Sequence, residues 1–461
     1  MTRVDTIIQR IVHLIDTDIL KPGQRVLSVR AGGIEYGVSK NTMAEAYDRL
    51  VALGYLSARQ GSGYYVAQTK RPSSTERPPH VQEAVDFVSL LEEQLVQHYA
   101  VRVGDGRPPA SWTERIEPGG STRYLNAAGG ESEHGYGTPQ GFTPLRERVV
   151  VALAERSIKA SLDQIILTHG ANHALDLIAR RLLQPGDTAL VDDPGYYPLF
   201  AKLRLLKVNI VGIRRLGDGP DLDDLAVKAA TCKPKVFFTQ SLAHNPTGGS
   251  LSLPIAHRLL QAAESHGFHV VEDDPFADML PASSPRLAAL DQLGRVIYVG
   301  TFSKTLSASL RVGYIAAEPA LAKTLCDLKM VTITSTSEFV ERIVYSVIAS
   351  GQYLRHLRRL KARVEAATDT AAARLKEIGI ELPIAPSGGY YLWGYLPPEV
   401  DERDLAKRAA EQSIFIAPGS LFTPEKTMHP PRIRINVAHA DDVRFLEFMR
   451  AYLGRQRLST S

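Results

Sequence analysis

A lysine that follows an apolar run and has a hydroxyl neighbour is the residue of this sequence best suited to chemistry. Lys304 comes directly after Ser303 and shortly after the apolar run 296–299, and Arg311 lies seven residues beyond it. A lysine amine can form a Schiff base with an aldehyde. Thr301, Ser303 and Arg311 could bind a phosphate, the arginine as a bidentate charged donor. A Ser-Lys pair alone indicates little, because most lysines are solvated surface groups.

Several other polar segments stand at the ends of strand-like runs. Gly170-Ala171-Asn172 follows such a run and opens a helical stretch, so its backbone amides can hold a phosphate. Each remaining segment has an ordinary explanation when taken alone, as a turn, a strand end, a core aromatic or a surface ion pair. Their joint occurrence favours a site. They are Asp193-Pro194-Gly195-Tyr196, His244-Asn245-Pro246-Thr247-Gly248, Glu272-Asp273-Asp274-Pro275 and Arg434 within Arg-Ile-Asn-Val-Ala.

Together these motifs resemble the fold-type I aminotransferases, over roughly residues 105–455. The resemblance implies pyridoxal 5'-phosphate (PLP) as the cofactor, joined to a catalytic lysine, and no metal. Asp273 would keep the pyridinium nitrogen protonated, with Asp274 as the alternative. The other cofactor contacts implied are the Schiff base of Lys304, a 3-oxygen contact of Asn245, ring stacking of Tyr196, and phosphate binding by Gly170, Ala171, Asn172, Thr301, Ser303 and Arg311.

Two further residues and one departure refine this resemblance. Arg434 matches the arginine that clamps the α-carboxylate of a substrate or effector. Tyr136, in Gly-Tyr-Gly-Thr-Pro-Gln-Gly, matches the tyrosine that reaches the phosphate of the neighbouring subunit, which implies a homodimer. Phe276 stands where the family usually has a tyrosine that donates to the 3-oxygen, so Asn245 would be the main protein donor. This departure predicts intact cofactor binding and less efficient turnover.

The distribution of charge points to a different partner at the N-terminal end. The 461 residues carry a net charge of +4, and residues 1–71 hold ten Lys and Arg against six Asp and Glu. The whole excess therefore lies in this segment, which indicates a polyanionic partner, although a solvated basic face gives the same count. Two cysteines exclude a disulfide scaffold. With no signal peptide and no apolar run of about 18 residues, we expect a cytoplasmic protein.

Residues 1–67 show the pattern of three helices followed by a hairpin. Ser39 is a good N-cap for a helix that ends near Gly54, and the glycine-rich residues 59–63 separate two short strands. This winged helix-turn-helix resembles the GntR family of bacterial regulators, with a helical protein-interaction domain as the alternative. Gly32 and Gly33 predict a short or loose first helix of the motif. The DNA contacts that the resemblance implies are Arg30, Ser39, Lys40, Asn41 and Thr42 and, at the wing, Arg59, Gly61 and Gly63.

The remaining sequence predicts a linker and an α/β domain. A segment rich in Pro, Ser and charge follows the helix-turn-helix, and strand-like runs then alternate with helical stretches. This alternation predicts a mostly parallel sheet covered on both faces. The predicted organisation is a linker at 68–84 and an aminotransferase-like domain at 85–461, with a large lobe at about 125–350 and a small α+β lobe at about 351–461 joined by part of 85–124.

Both domains in this order resemble the MocR subfamily of GntR regulators. The resemblance implies a bacterial head-to-tail homodimer that binds DNA at an operator with repeated half-sites. It would sense PLP, or an amino-acid or amine effector, through aldimine exchange at Lys304. The competing hypothesis is a catalytically active class I/II aminotransferase, converting an amino acid to a 2-oxo acid, with a residual DNA-binding head. A third hypothesis, a protein-interaction scaffold, requires that Lys304 bind no PLP.

Overall fold

The chain forms two compact units, Met1–Pro78 and Pro79–Ser461. A computed structural model describes residues 3–16, 20–59, 61–67, 99–113, 135–425 and 430–459. The linker predicted at 68–84 lies outside the described residues. Among the helices that are described, none combines the length and the apolar character needed to cross a membrane.

The N-terminal unit is a three-helix motif followed by an antiparallel hairpin. Val4, Ile7 and Ile11 of the first helix are buried against Met43 and Leu50 of the third, so one apolar stripe from each helix makes the core. This arrangement agrees with the winged helix-turn-helix expected from the sequence. The elements are α1 (Arg3–Asp16), α2 (Val29–Glu35), α3 (Lys40–Ala52), β1 (Leu56–Arg59) and β2 (Gly63–Val66).

Helix α2 is only seven residues long, as its two glycines predict, and the glycines have a packing reason. A Cβ on Gly32 would lie 2.9 Å from Cε of Met43, and one on Gly33 would lie 3.0 Å from the carbonyl oxygen of Val38. Both approaches are tighter than a side chain allows without movement. The glycines therefore let α2 lie close to α3, and Ser28 caps the helix by accepting from the Ala31 amide.

The second unit contains an eight-stranded sheet that forms the centre of its large lobe. The strand order is β3-β10-β9-β8-β7-β4-β5-β6, and the strands β9, β8, β7, β4 and β5 run parallel. β10 is antiparallel to both of its neighbours. The strands are β3 (Ile165–Thr168), β4 (Thr188–Asp193), β5 (Asn209–Leu216), β6 (Gly219–Pro220), β7 (Val236–Thr239), β8 (His269–Asp274), β9 (Val296–Thr301) and β10 (Gly313–Ala316).

Helices cover both faces of this sheet. Its central strands are therefore buried along their whole length. Two separate apolar clusters lie on the two faces, one around Phe237 and Tyr298 and the other around Phe200 and Phe238. The helices of the large lobe are α4 (Thr143–Glu155), α5 (Gly170–Leu182), α6 (Tyr197–Leu205), α7 (Leu222–Cys232), α8 (Leu253–His266), α9 (Leu287–Asp291), α10 (Pro319–Ile333) and α11 (Glu338–Ala349).

The small lobe is an antiparallel sheet of three strands, in the order β11-β13-β12, with long helices beside it. Its elements are α12 (Gln352–Glu377), β11 (Tyr391–Tyr395), α13 (Glu402–Glu411), β12 (Ala417–Pro418), β13 (Arg432–Asn436) and α14 (Val443–Ser459). Residues 99–107 also join this lobe, because Val101 bridges to Ile414 and the Phe415 amide donates to the Val101 carbonyl. Residues 99–107 thus pair with the segment before β12.

The topology brings the ends of five strands to one edge of the large sheet. β9, β8, β7 and β4 are parallel, and β3 has the same direction because β10 is antiparallel to both β9 and β3. Ligands in open α/β sheets bind beyond the carboxyl ends of the strands. The segments that follow these five strands contain most of the polar motifs seen in the sequence.

Candidate functional site

A cavity of about 560 Å³ lies at this edge of the sheet, next to the small lobe. Its volume is in the range of cofactor and small-molecule sites. The lining combines residues at or after the ends of β3, β4, β7, β8 and β9 with residues of the 106–107 segment, β11 and β13. It includes Arg107, Ala171, Asn172, Tyr196, Gln240, Asn245, Asp273, Thr301, Ser303, Lys304, Ser309, Arg311, Tyr391 and Arg434.

Lys304 is held in the cavity by contacts of its side-chain amine and of the backbone around it. Its Nζ donates to the carbonyl oxygen of Gly106 at 2.5 Å, and its own carbonyl oxygen accepts from the Tyr390 hydroxyl at 2.6 Å. The next carbonyl, of Thr305, contacts Nε2 of the buried His356 at 2.8 Å. The turn after β9 is therefore fixed, and the lysine amine is presented to the cavity.

Asp273 faces the cavity from β8, whereas Asp274 does not. The side chain of Asp273 is buried, its Oδ2 accepts from Nε2 of Gln240 at 2.6 Å, and its Oδ1 has no partner within the described part of the chain. Burial raises the pKa of Asp273 to about 6. Asp274 is paired with Arg286 at 2.8 Å and with the Tyr298 hydroxyl at 2.9 Å. The alternation of side chains along a strand separates the two carboxylates.

An arginine and two hydroxyls form a cluster beside the start of α5. Arg311 donates to the His169 carbonyl at 3.0 Å, and its other amine is 3.5 Å from Oγ of Ser303, which in turn is 3.1 Å from Oγ1 of Thr301. A Cβ on Gly170 would lie 2.8 Å from Nη2 of Arg311. Gly170 therefore makes room for the guanidinium at a helix N-terminus, where anions bind well.

Tyr196 and Asn172 lie on the same wall, after β4 and at the start of α5. The Tyr196 hydroxyl donates to Oδ1 of Asn172 at 3.4 Å, and burial raises the pKa of this tyrosine above its usual range. Ala171 also lines the cavity and has no polar side chain, so only its backbone amide can bind a phosphate there. The tyrosine ring thus stays neutral and available for stacking.

Arg434 is buried, with 2% of its surface exposed, and is held between the rings of Tyr391 and Phe422 at 5.0 and 4.9 Å. One amine donates to Oδ1 of Asn245 at 2.9 Å and the other to the carbonyl oxygen of Gly104 at 2.6 Å. A fixed guanidinium in an apolar sandwich is a strong site for a carboxylate. The contact also orients the Asn245 amide, so that its Nδ2 is the atom left for a cavity ligand.

Phe276 is fully buried below the cavity and packs edge-on against Tyr390 and Tyr391, at ring distances of 5.2 and 5.7 Å. It brings no hydroxyl to the site. Tyr136 is 88% exposed and does not line the cavity, so the structure does not bring it together with the other predicted residues of this chain. Among the described residues, no cluster of His, Cys, Asp or Glu could hold a metal ion.

Several residues in or beside the cavity escaped the sequence analysis, among them Gln240, Tyr390, Tyr391 and Gly106. Gln240 directly follows β7, so the rule that polar residues after parallel strands meet at one edge could have found it. Tyr390 and Tyr391 sit in an apolar run that predicts only a strand. Gly106 contributes through its carbonyl oxygen, which no pattern of side chains can indicate.

The predicted DNA-binding residues lie in or next to α2, α3 and the hairpin of the N-terminal unit. Ser39 caps α3, with its Oγ accepting from the Thr42 amide at 3.1 Å, and Lys40 and Asn41 are exposed on the first turn. These positions leave the start of α3 open for a groove. The exposed Arg30 lies in α2, while Gly61 and Gly63 have φ values of +74° and +104° in the hairpin and Arg59 stacks on the ring of Tyr65 at 4.4 Å.

Comparison with known proteins connects both units to families. Residues 99–451 match aminotransferase class I and II, and residues 3–66 match the bacterial regulatory proteins of the gntR family. The HTH-type transcriptional regulator YdfD of Bacillus subtilis is 26% identical, over 94% of this chain and 92% of that protein. The probable rhizopine catabolism regulatory protein MocR of Rhizobium meliloti is 28% identical, over 74% of this chain and 71% of that protein.

Among solved structures, the kynurenine aminotransferase of Pyrococcus horikoshii, determined in complex with PMP, has a TM-score of 0.73 and 25% identity. It covers 85% of this chain and 97% of its own. The aminotransferase family match begins at residue 99 and the gntR-family match covers residues 3–66, while the match to YdfD extends over 94% of the chain. The chain therefore belongs to the aminotransferase class I and II family and, with its gntR-family domain in front, has the architecture of the MocR-type transcription regulators.

Proposed function

We propose that this regulator binds PLP at Lys304 and responds to an amino acid. The amine of the amino acid would take the place of the Lys304 amine, and its carboxylate would bind Arg434. Both side chains line the same cavity, so one small molecule can reach them together. The gntR-family domain binds DNA, and a bacterial DNA-binding regulator would work in the cytoplasm.

The residues of the cavity fit PLP. Oδ1 of Asp273 is buried without a partner among the described residues, which suits the N–H of a pyridinium ring. The cluster of Arg311, Ser303 and Thr301 suits a phosphate, and Nδ2 of Asn245 suits the 3-oxygen. When bound, PLP would supply an electrophilic carbon next to an electron-withdrawing ring.

The observation that carries the proposal is the way the cavity residues hold residues 104–107, which we name the strap. Each of its four carbonyl oxygens accepts a hydrogen bond from a buried or cavity side chain. Arg434 donates to Gly104 at 2.6 Å, and Lys304 donates to Gly106 at 2.5 Å. Asn436 donates to the other two carbonyls, at 2.9 and 2.7 Å. Residues 99–103 precede the strap. In the sequence, residues 68–98, which lie outside the described part, connect them to the DNA-binding domain.

This arrangement lets a ligand act on the strap through the two residues it would engage. The Lys304 amine cannot hold PLP and Gly106 at once, so a ligand that frees the amine restores its contact with the strap. A ligand carboxylate would instead compete with Gly104 for Arg434, so one contact with the strap would be gained and the other lost. Each hydrogen bond with a charged donor contributes about 1.5–3 kcal/mol. A change in either contact alone is therefore large enough to shift an equilibrium by about 10-fold or more.

The test combines spectroscopy with DNA binding. The wild-type protein is loaded with PLP, titrated with single amino acids while its visible absorbance is recorded, and assayed on a DNA fragment from upstream of its own gene. Lys304→Ala should lose the absorbance band, whereas Lys323→Ala, which removes an exposed lysine of α10, should keep it. An amino acid that shifts the band should also change the DNA affinity. A protein that shows no band dependent on Lys304 would refute the cofactor assignment.

The same experiment separates the regulator from a working aminotransferase. An enzyme would complete many turnovers with an amino donor and a keto acceptor, and its DNA affinity would not follow the band. An aminotransferase function is considered because Lys304, Asp273 and Arg434 all line the cavity. Repeated turnover without any effect on DNA binding would establish it in place of the regulator.

We also propose that the working form is a head-to-tail homodimer on an operator with repeated half-sites. Tyr136 supports this, because an aromatic residue that is 88% exposed and outside its own cavity is free to reach a second copy. Sedimentation of the PLP-loaded protein should give a dimer. Tyr136→Ala should then weaken PLP binding without changing the absorbance maximum, and a monomeric protein with full PLP affinity would contradict the proposal.

A further inference from the structure

We infer that Gln240 is a positioning residue that orients both side chains expected to hold the PLP ring, Asp273 and Asn245. The inference rests on the proposed binding of PLP and adds a determinant of that site that no motif of the sequence assigns. Gln240 lines the cavity, directly follows β7 and is 95% buried.

The carboxamide of Gln240 spans the two residues. Its Nε2 donates to Oδ2 of Asp273 at 2.6 Å, and its Oε1 accepts from the backbone amide of Asn245 at 2.8 Å. A carboxylate can only accept here and a backbone N–H can only donate, so the two contacts fix the orientation of the amide. One side chain thus links the strand that carries Asp273 to the turn that carries Asn245.

A buried ionic network anchors the backbone of Gln240 from behind. The backbone N–H of Gln240 donates to Oδ2 of Asp192 at 3.2 Å. Asp192 also pairs with Arg215 at 3.1 Å and accepts from Oγ1 of Thr239 at 2.9 Å. Nε2 of His244 lies 3.3 Å from the same carboxylate. Breaking the Asp192–Arg215 pair would leave a buried charge without a partner, so this network restrains the Gln240 backbone.

The consequence is that Gln240 decides which atoms face the cavity. Because Oδ2 of Asp273 is taken by Gln240, Oδ1 is the oxygen left for a ring N–H. Because the Asn245 backbone is held by Gln240 and its Oδ1 by Arg434, Nδ2 is the atom left for a ring oxygen. The donated hydrogen bond also favours the ionised form of Asp273, opposing the effect of burial on its pKa.

The first variant removes both contacts. Gln240→Leu should raise the dissociation constant for PLP by about 10-fold to 100-fold, the range expected when a charged acceptor loses a hydrogen bond. Gln164→Leu is the matched control, because Gln164 also bridges two backbone groups of the large lobe, Ala317 at 2.9 Å and Ser161 at 3.0 Å, but does not line the cavity. Its PLP affinity should equal that of the wild type.

The second variant separates positioning from a general loss of structure. Gln240→Glu keeps the shape and can donate to Asp273 only while the new carboxyl is protonated. Burial and the neighbouring carboxylate raise the pKa of that glutamate, so the hydrogen bond is present below the raised pKa and is lost as the pH rises through it. PLP affinity should therefore be rescued at low pH and should fall with rising pH more steeply than in the wild type.

The role of Gln240 and the proposed binding of PLP can fail separately in these experiments. Wild-type PLP affinity in Gln240→Leu, or a wild-type pH profile in Gln240→Glu, would overturn the role of Gln240 alone. A wild-type protein without affinity for PLP would refute the proposed function and the inference with it. Thermal unfolding of each variant without PLP checks the fold, and if Gln240→Leu is unfolded, the pH profile of Gln240→Glu decides.

Discussion

Replacing Arg434 by methionine separates recognition of a ligand's carboxylate from recognition of its amine. Arg434 is 2% exposed and lies between two aromatic rings, so a carboxylate bound there is fully desolvated. Losing one partner of such a pair costs about 2–5 kcal/mol, which is a loss of affinity of about 30-fold or more. PLP itself should lose less than about 10-fold, because only the support of Asn245 is removed.

The assay titrates the PLP-loaded protein with two matched ligands and follows its visible absorbance. One is the amino acid that shifts the wild-type band most, and the other is the amine of the same side chain without the carboxylate. Arg434→Met should weaken the amino acid strongly and the amine hardly at all. Arg432→Met, two residues earlier in β13 and stacked on Tyr395 outside the cavity, should change neither. Equal losses for both ligands, or no loss for the amino acid, would refute the assigned role.

Three further predictions test the strap, the helix-turn-helix and the ionic network. Asn436→Ala removes the hydrogen bonds to the strap carbonyls of Asp105 and Arg107 and should lower the free energy of unfolding in urea by about 2–4 kcal/mol. Gly32→Ala places a methyl 2.9 Å from Met43 and should destabilise the N-terminal unit by about 1–3 kcal/mol, seen as weaker DNA binding with unchanged PLP affinity. Burial lowers the pKa of His244 to about 4, so this residue should reduce stability as the pH falls from 6.5 towards 4, and His244→Asn should lose less stability than the wild type over that range in unfolding experiments. The same pH dependence in the wild type and in His244→Asn would contradict the last prediction.

The sequence predicts the central strands well because they are buried along their whole length. The runs 165–168 and 236–239 coincide with β3 and β7, since a fully buried strand must be continuously apolar. The winged helix-turn-helix is predicted equally well from the Ser39 cap and the glycine-tipped hairpin. In both cases the signal lies in residues that are close together in the chain.

Features that depend on distant contacts could not be predicted in this way. Gly32 and Gly33 look like a defect of α2 until the structure shows Met43 close to Gly32 and the Val38 carbonyl close to Gly33, so that a side chain at either position would require movement. The strap carries no motif, since its function depends on carbonyl oxygens and on donors more than 190 residues away. The resemblance assigns Asp273 with Asp274 as the alternative, and only the three-dimensional contacts show that Asp274 is paired with Arg286.

The replacement of the family's tyrosine by Phe276 makes sense together with the strap. Phe276 packs edge-on against Tyr391, whose hydroxyl donates to the Gly106 carbonyl at 2.8 Å, and against Tyr390, which holds the Lys304 backbone. The phenylalanine gives up a donor to the ring 3-oxygen and supports the two tyrosines that fix the lysine and the strap. Phe276 therefore fits the proposed sensor, in which Tyr391 would hold the strap and Tyr390 would hold Lys304.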